Sequence, residues 1–241
     1  MSKINLPLSS LCAALMLTVG APAFADSTLD SLQNLGQAEF SLFAKDFISA
    51  GSYKAVAPGE PLGITGFDIG LEVSSTKLTN PAIWKKAGVD LSSLPLPKLH
   101  IHKGLPFNID VAASMVAVPS SNIKLVGMEI RYALLEGGVA TPSLSIRAAG
   151  SSLTGVDQLD LNTKSIELTL SKGFLMLTPY IGVGRVNGTA TPNVASLKKV
   201  TTNGNKVFAG LNANFGLMNF AAEADRTGDN DTISVKMGFR F

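Results

Sequence analysis

The chain has 241 residues, 46% of them apolar, with 20 basic and 18 acidic side chains and a formal net charge of +2. So even a balance gives no basis for a nucleic-acid partner. Its one cysteine, Cys12, lies in a stretch that reads as a removable leader, which excludes disulfides, cysteine-ligated metals and a cysteine nucleophile from the rest.

Residues 1–25 carry the marks of a secretory signal peptide. Lys3 supplies the positive start, Leu8 to Val19 the apolar core, and Ala23-Phe24-Ala25 a small-x-small cleavage site before Asp26. Leu11 directly before Cys12, well upstream of the cut, argues against lipidation. No later stretch approaches the ~18 consecutive apolar residues that a spanning helix needs.

Residues 26–50 show a helical period, with Leu29, Leu32, Leu35, Phe40, Phe43 and Phe47 at spacings near three and four. Such a helix packs on something, and two placements stay open: a plug in a barrel lumen, or a periplasmic helix against the rim or the membrane. Residues 51–62 are punctuated by Gly and Pro and read as a linker, with a short strand at Ser52 to Val56 left out of the strand count.

From residue 63 onward the period is two. Phe67, Ile69, Leu71 and Val73 alternate with Asp68, Gly70, Glu72 and Ser74, as in a strand with hydrocarbon outside and a wet lumen inside. Residues 77–97 read as a long loop with a helical turn near Ala82 to Ala87. His100 and His102 then face inward, opposite Leu99 and Ile101. Further alternating rows cover 107–115, 126–132, 144–148, 166–170, 174–187, 207–215 and 220–225, separated by turns at 104–106, 119–122, 136–138, 172–173 and 216–219. Loops are expected at 155–162, 188–205 and 226–231. The last row places Ile233, Val235, Met237, Phe239 and Phe241 outward and Lys236 and Arg240 inward.

A final strand so strongly alternating needs an edge to pair with, and closure on the first strand provides one. This terminus resembles that of Gram-negative outer-membrane β-barrel proteins, whose last strand ends in Phe and is read by the insertion machinery. The segment from Tyr53 to Leu71 is also similar to a group of small proteobacterial outer-membrane proteins that brings no assigned chemistry. The expected fold is all-β: a closed antiparallel transmembrane barrel of about ten strands over 63–241, with eight and twelve as neighbouring counts, preceded by the amphipathic helix. The resemblance implies residence in the bacterial outer membrane, with membrane lipid and the barrel insertion machinery as partners and Phe239 and Phe241 as the insertion signal.

Candidate chemistry is sparse. His100 and His102, at i and i+2 on one face, suit a metal ligand pair or a general base, although Lys98 and Lys103 beside them disfavour a cation. The inward charges Asp68, Glu72, Asp110, Glu129, Arg131, Arg147, Glu167, Glu223, Asp225, Lys236 and Arg240 suit either a salt-bridge network filling a narrow lumen or the lining of a selective pore. No cofactor or metal is indicated, and the identity of any small-molecule ligand is left open. The leading reading is a non-enzymatic outer-membrane barrel, structural or forming a narrow pore for small solutes or lipid-like molecules. The alternatives are an outer-membrane hydrolase using His100 or His102, and a soluble periplasmic β-barrel that binds a ligand.

Overall fold

The computed structural model describes residues 31–117, 124–138 and 140–241; the expected leader and the turn at 119–122 lie outside them. Ten strands form one closed antiparallel barrel: β1 Phe67–Lys77, β2 Ser93–Gly104, β3 Ile109–Ala117, β4 Lys124–Glu136, β5 Ser143–Thr154, β6 Leu159–Ser171, β7 Leu177–Pro192, β8 Val200–Phe215, β9 Met218–Thr227 and β10 Asn230–Arg240. Each strand pairs with its neighbours in the chain, and β10 closes onto β1 with Ile69 opposite Phe239 and Val73 opposite Val235. Phe67 and Phe241 extend that seam by exchanging two backbone hydrogen bonds, of 2.7 and 3.0 Å.

Alternation in sequence becomes alternation in burial, because successive strand side chains point to opposite faces. Along β6, Ser165, Glu167 and Thr169 are buried while Ile166, Leu168 and Leu170 are exposed. Polar residues are therefore inside and apolar ones outside. The described helices include none long and apolar enough to cross a membrane, a test that does not bear on strands.

Each of the four expected loops is partly strand in the structure: β2 already starts at Ser93, inside 77–97, and β6 at Leu159, inside 155–162, because the ladder runs past the last apolar residue of the row. Residues 188–205 were expected to be irregular, yet β7 runs to Pro192 and β8 starts at Val200, paired from Ala190–Val200 onward. Their Thr, Asn and Gly side chains leave no apolar row, so the period is invisible although the backbone ladder continues. The stretch 226–231 likewise shrinks to a turn at Gly228 and Asp229 between β9 and β10, with Gly228 at φ +60°.

Helix α1 (Gln37–Gly51) lies across the end of the barrel formed by the longer connections, opposite Phe241 and the tight turns. Its residues Phe40, Phe43, Ala44, Phe47 and Ile48 share a core with Leu94 and Leu96 of β2, Leu125 of β4, Leu153 of β5, Leu161 of β6 and Val186 of β7. All of those strand residues sit at the same end. A second helix, α2 (Pro81–Lys86), adds Trp84, whose ring centroid is 4.4 Å from that of Phe43. Burying each large apolar side chain contributes about 2 kcal/mol, so the cap is held chiefly by apolar contact. Asp46 fixes its position, accepting hydrogen bonds from the Trp84 indole at 3.1 Å, from Asn230 at 2.8 Å and from Thr79. Gly188 permits the close approach of β7: a Cβ there would lie 2.2 Å from the Ile48 side chain.

Candidate functional site

The stretch read as a linker occupies the lumen. Residues 52–59 are all buried, and none is in a strand. The chain leaves α1 at the capped end and runs down inside the barrel. It emerges near Gly63, whose backbone touches Gly104 at the end of β2. Ala55, Ala57, Pro58 and Gly59 have little side-chain volume, which lets a backbone share a narrow barrel with the inward side chains. Gly127 provides clearance of the same kind, since a Cβ there would lie 2.6 Å from the ring of Tyr53.

A buried segment outside any ladder must satisfy its backbone polar groups some other way. Here the wall does so. Ser151 donates to the Gly51 carbonyl, Lys206 to the Tyr53 carbonyl at 3.4 Å, and Arg131 to the Pro58 carbonyl at 2.5 Å. The Gly59 N–H donates to Ser171 Oγ at 3.0 Å, and the Leu62 N–H to Asp110 at 3.1 Å. Arg131 and Asp110 also pair with each other at 2.5 Å, so one ion pair grips the thread on both sides of Gly59.

The remaining inward charges knit the wall together. Arg147 lies 2.5 Å from Glu167, and Lys206 lies 3.1 Å from the same carboxylate. Asp68 accepts from Lys236 at 3.0 Å and Arg240 at 2.6 Å across the β1–β10 seam. Lys98 meets Glu72 at 2.9 Å, and Lys54 of the thread meets Asp225 at 3.5 Å. Glu129 faces Arg147 at 3.8 Å, and Glu223 accepts from the Tyr180 hydroxyl at 3.0 Å. The acids Asp68, Glu72, Asp110, Glu129, Glu167, Glu223 and Asp225 are thus balanced by Lys54, Lys98, Arg131, Arg147, Lys206, Lys236 and Arg240. All are buried except Arg240, which is partly exposed. Such neutrality is what a low-dielectric interior requires of charged groups.

His100 and His102 lie in this network. His100 Nε2 is 2.5 Å from Glu72, while its Nδ1 faces His102 Nε2 at 3.4 Å. The two rings stack with centroids 5.6 Å apart, and the Tyr53 ring lies 5.8 Å from that of His100. A carboxylate orienting an imidazole is half of a nucleophilic triad. The second imidazole, not a hydroxyl, occupies the position a nucleophile would take. Both histidines are fully buried beneath the thread. Among the described residues, no three His, Cys, Asp or Glu side chains converge in a metal-binding arrangement.

Three cations of this network, Lys98, Lys206 and Lys54, are not among the inward charges expected from the alternation. Lys98 shares a strand face with His100 and His102 by the same i, i+2 spacing that singled them out. Lys206 sits two residues before inward Phe208, between the expected loop 188–205 and the first residue of the row 207–215. Lys54, in the presumed linker, has no periodicity that could reveal it.

No protein-family model matches the chain, and no curated protein matches it in sequence. Among solved structures, the N-terminal β-barrel domain of Pseudomonas aeruginosa OprF is 14% identical, with a TM-score of 0.37 over 74% of this chain and 99% of that one. The attachment invasion locus protein Ail of Yersinia pestis is 12% identical, with a TM-score of 0.35 over 73% and 99%. A KdgM porin is 8% identical, with a TM-score of 0.36 over 71% and 99%. Likenesses this slight carry no argument about what the protein does.

Proposed function

We propose that this protein is a bacterial outer-membrane barrel, non-enzymatic and held closed by its own N-terminal segment, acting as a structural element with no open pore. The observation that carries this reading is the thread: residues 52–59 fill the lumen, and the wall is charge-matched around them. The membrane half of the reading rests on the outer surface. Met128 is 68% exposed, Ile233 66% and Ile181 58%, and rows like these run around the barrel. An apolar belt of that extent is not sustained in water, and the belt is what opposes the soluble-binder alternative. In this reading residues 1–25 are the cleaved leader. Phe239 and Phe241, both exposed at the seam, act as the signal for the insertion machinery.

Planar-bilayer recording tests the closed state. The refolded protein is expected to give no conductance steps, and a variant lacking residues 31–61 to give steady ones. Steady ion flow through the intact protein contradicts the proposal.

A further inference from the structure

On the outward faces, several apolar rows end on a basic residue at the capped end: Ile166 is followed by Lys164 on β6, and Val183 by Arg185 on β7. The register places Ile166 opposite Arg185 and Lys164 opposite Asn187, so Lys164 and Arg185 are diagonal neighbours across the two strands. Like charges in adjacent cross-strand positions repel. Their strand neighbours offer no relief: Lys164 lies beside Gly150, and Arg185 beside Asn205. Among the described residues, neither cation is in an ion pair. Arg226 on β9, by contrast, is matched with Asp231 at 2.6 Å. The exposed amides of Asn187 and Asn205 add hydrogen-bond donors around the pair. At the opposite rim the β10 row ends on Phe239 and Phe241. The β2 row there ends on Lys103, whose ammonium donates to the Ile64 and Gly66 carbonyls at 2.7 and 3.1 Å, and Lys172, just past β6, donates to the Gly138 carbonyl at 2.8 Å.

We infer that Lys164 and Arg185, with Asn187 and Asn205, form an outward-facing site for the phosphate of an anionic lipid headgroup at the capped-end boundary. The inference rests on the membrane reading above, since it places these groups level with headgroups. An anion there supplies the missing counter-charge. The planar guanidinium of Arg185 donates to two phosphate oxygens side by side, and Lys164 adds a point charge. The apolar row immediately below holds the acyl chains of the same lipid, which makes a lipid the occupant in preference to a free ion.

The test uses the full chain refolded into phosphatidylcholine vesicles carrying trace spin-labelled phosphatidylglycerol or spin-labelled phosphatidylcholine. The relative association of the two labels with the protein is read from the motionally restricted fraction. Wild type is expected to favour phosphatidylglycerol several-fold, and Lys164→Gln/Arg185→Gln to abolish most of that preference. Lys85→Gln/Lys86→Gln, on α2, is expected to leave it intact. Equal association of both lipids with wild type, or an undiminished preference in the first double variant, overturns the site while leaving the barrel's membrane residence standing. Failure of wild type to insert into any vesicle counts against the membrane reading instead. Should the Lys164/Arg185 variant not fold, salt decides: a wild-type preference unchanged at about 1 M NaCl, where the screening length falls to ~3 Å, overturns the site. Competition by millimolar inorganic phosphate without any effect of acyl chains would show a free-ion site, and would overturn it as well.

Discussion

The two ends of the lumen are closed by different physics. At the capped end, α1 is held by Phe40, Phe43, Phe47 and Trp84 against a ring of strand leucines, a contact that is non-directional and tolerant of small shifts. Further down, the thread is held by directed bonds: Arg131, Lys206 and Ser151 donate to individual backbone carbonyls, and Ser171 accepts from the Gly59 N–H. Helix formation satisfies α1's own backbone, which frees it to bury apolar side chains. The thread has no ladder, so the wall must supply its partners. The contrast explains why ion pairs crowd the middle and lower lumen, while at the capped end the buried carboxylate of Asp46 is held by neutral donors, Trp84, Asn230 and Thr79.

Removing one charge from the lower network is expected to have the largest effect. Arg147→Met leaves Glu129 without its cation and Glu167 with only Lys206. An unpaired buried charge of that kind costs roughly 3–5 kcal/mol. Guanidinium unfolding in lipid vesicles measures the loss, and hydrogen exchange should show the thread loosened while α1 stays protected. Equal loss of protection in both regions would show that cap and thread are a single unit.

Phe43→Ala probes the other end. It removes a ring that touches Phe40, Phe47 and Trp84, at a cost of about 3 kcal/mol from lost transfer energy and cavity together. Here the pattern inverts: α1 exchanges faster, and the thread does not.

The smallest effect belongs to the surface of the cap. Lys86 donates to the Glu39 carboxylate at 2.7 Å and Gly36 N–H donates at 2.9 Å, together holding that carboxyl below the ordinary glutamate range. A carboxyl lowered on folding adds stability above its unfolded pKa, and that gain disappears as pH falls through the folded value. Glu39→Gln is therefore expected to flatten slightly the acid limb of a stability–pH curve. It should leave neutral-pH stability almost unchanged, because the pair is solvent-exposed.

The barrel was legible in the sequence because lipid outside and polar groups inside force a period of two. Ile166, Leu168 and Leu170 against Ser165, Glu167 and Thr169 show it without ambiguity. The inward charges followed from the same alternation. Where the constraint lapses, so does the reading. In 188–205 both faces meet water or the cap, so Thr189 and Thr201 pair across β7 and β8 with no apolar row to announce the strands. The composition of the thread points to a linker because Gly, Pro and Ala mark flexible chain and narrow-lumen filler alike. Only Lys54, an isolated charge, distinguishes the two, and its partner Asp225 is 171 residues away. The histidines looked chemical from spacing alone; their placement between Glu72 and the thread depends on neighbours that spacing does not reveal.

The central claim is that the barrel is sealed from within by its own chain, and Ala57, fully buried in the thread, reports on it directly. In a Cys12→Ser background, Ala57→Cys should resist a membrane-impermeant maleimide applied to both sides of the folded barrel and react at once after unfolding. Rapid labelling of the folded protein from either side would show the lumen open and the account wrong.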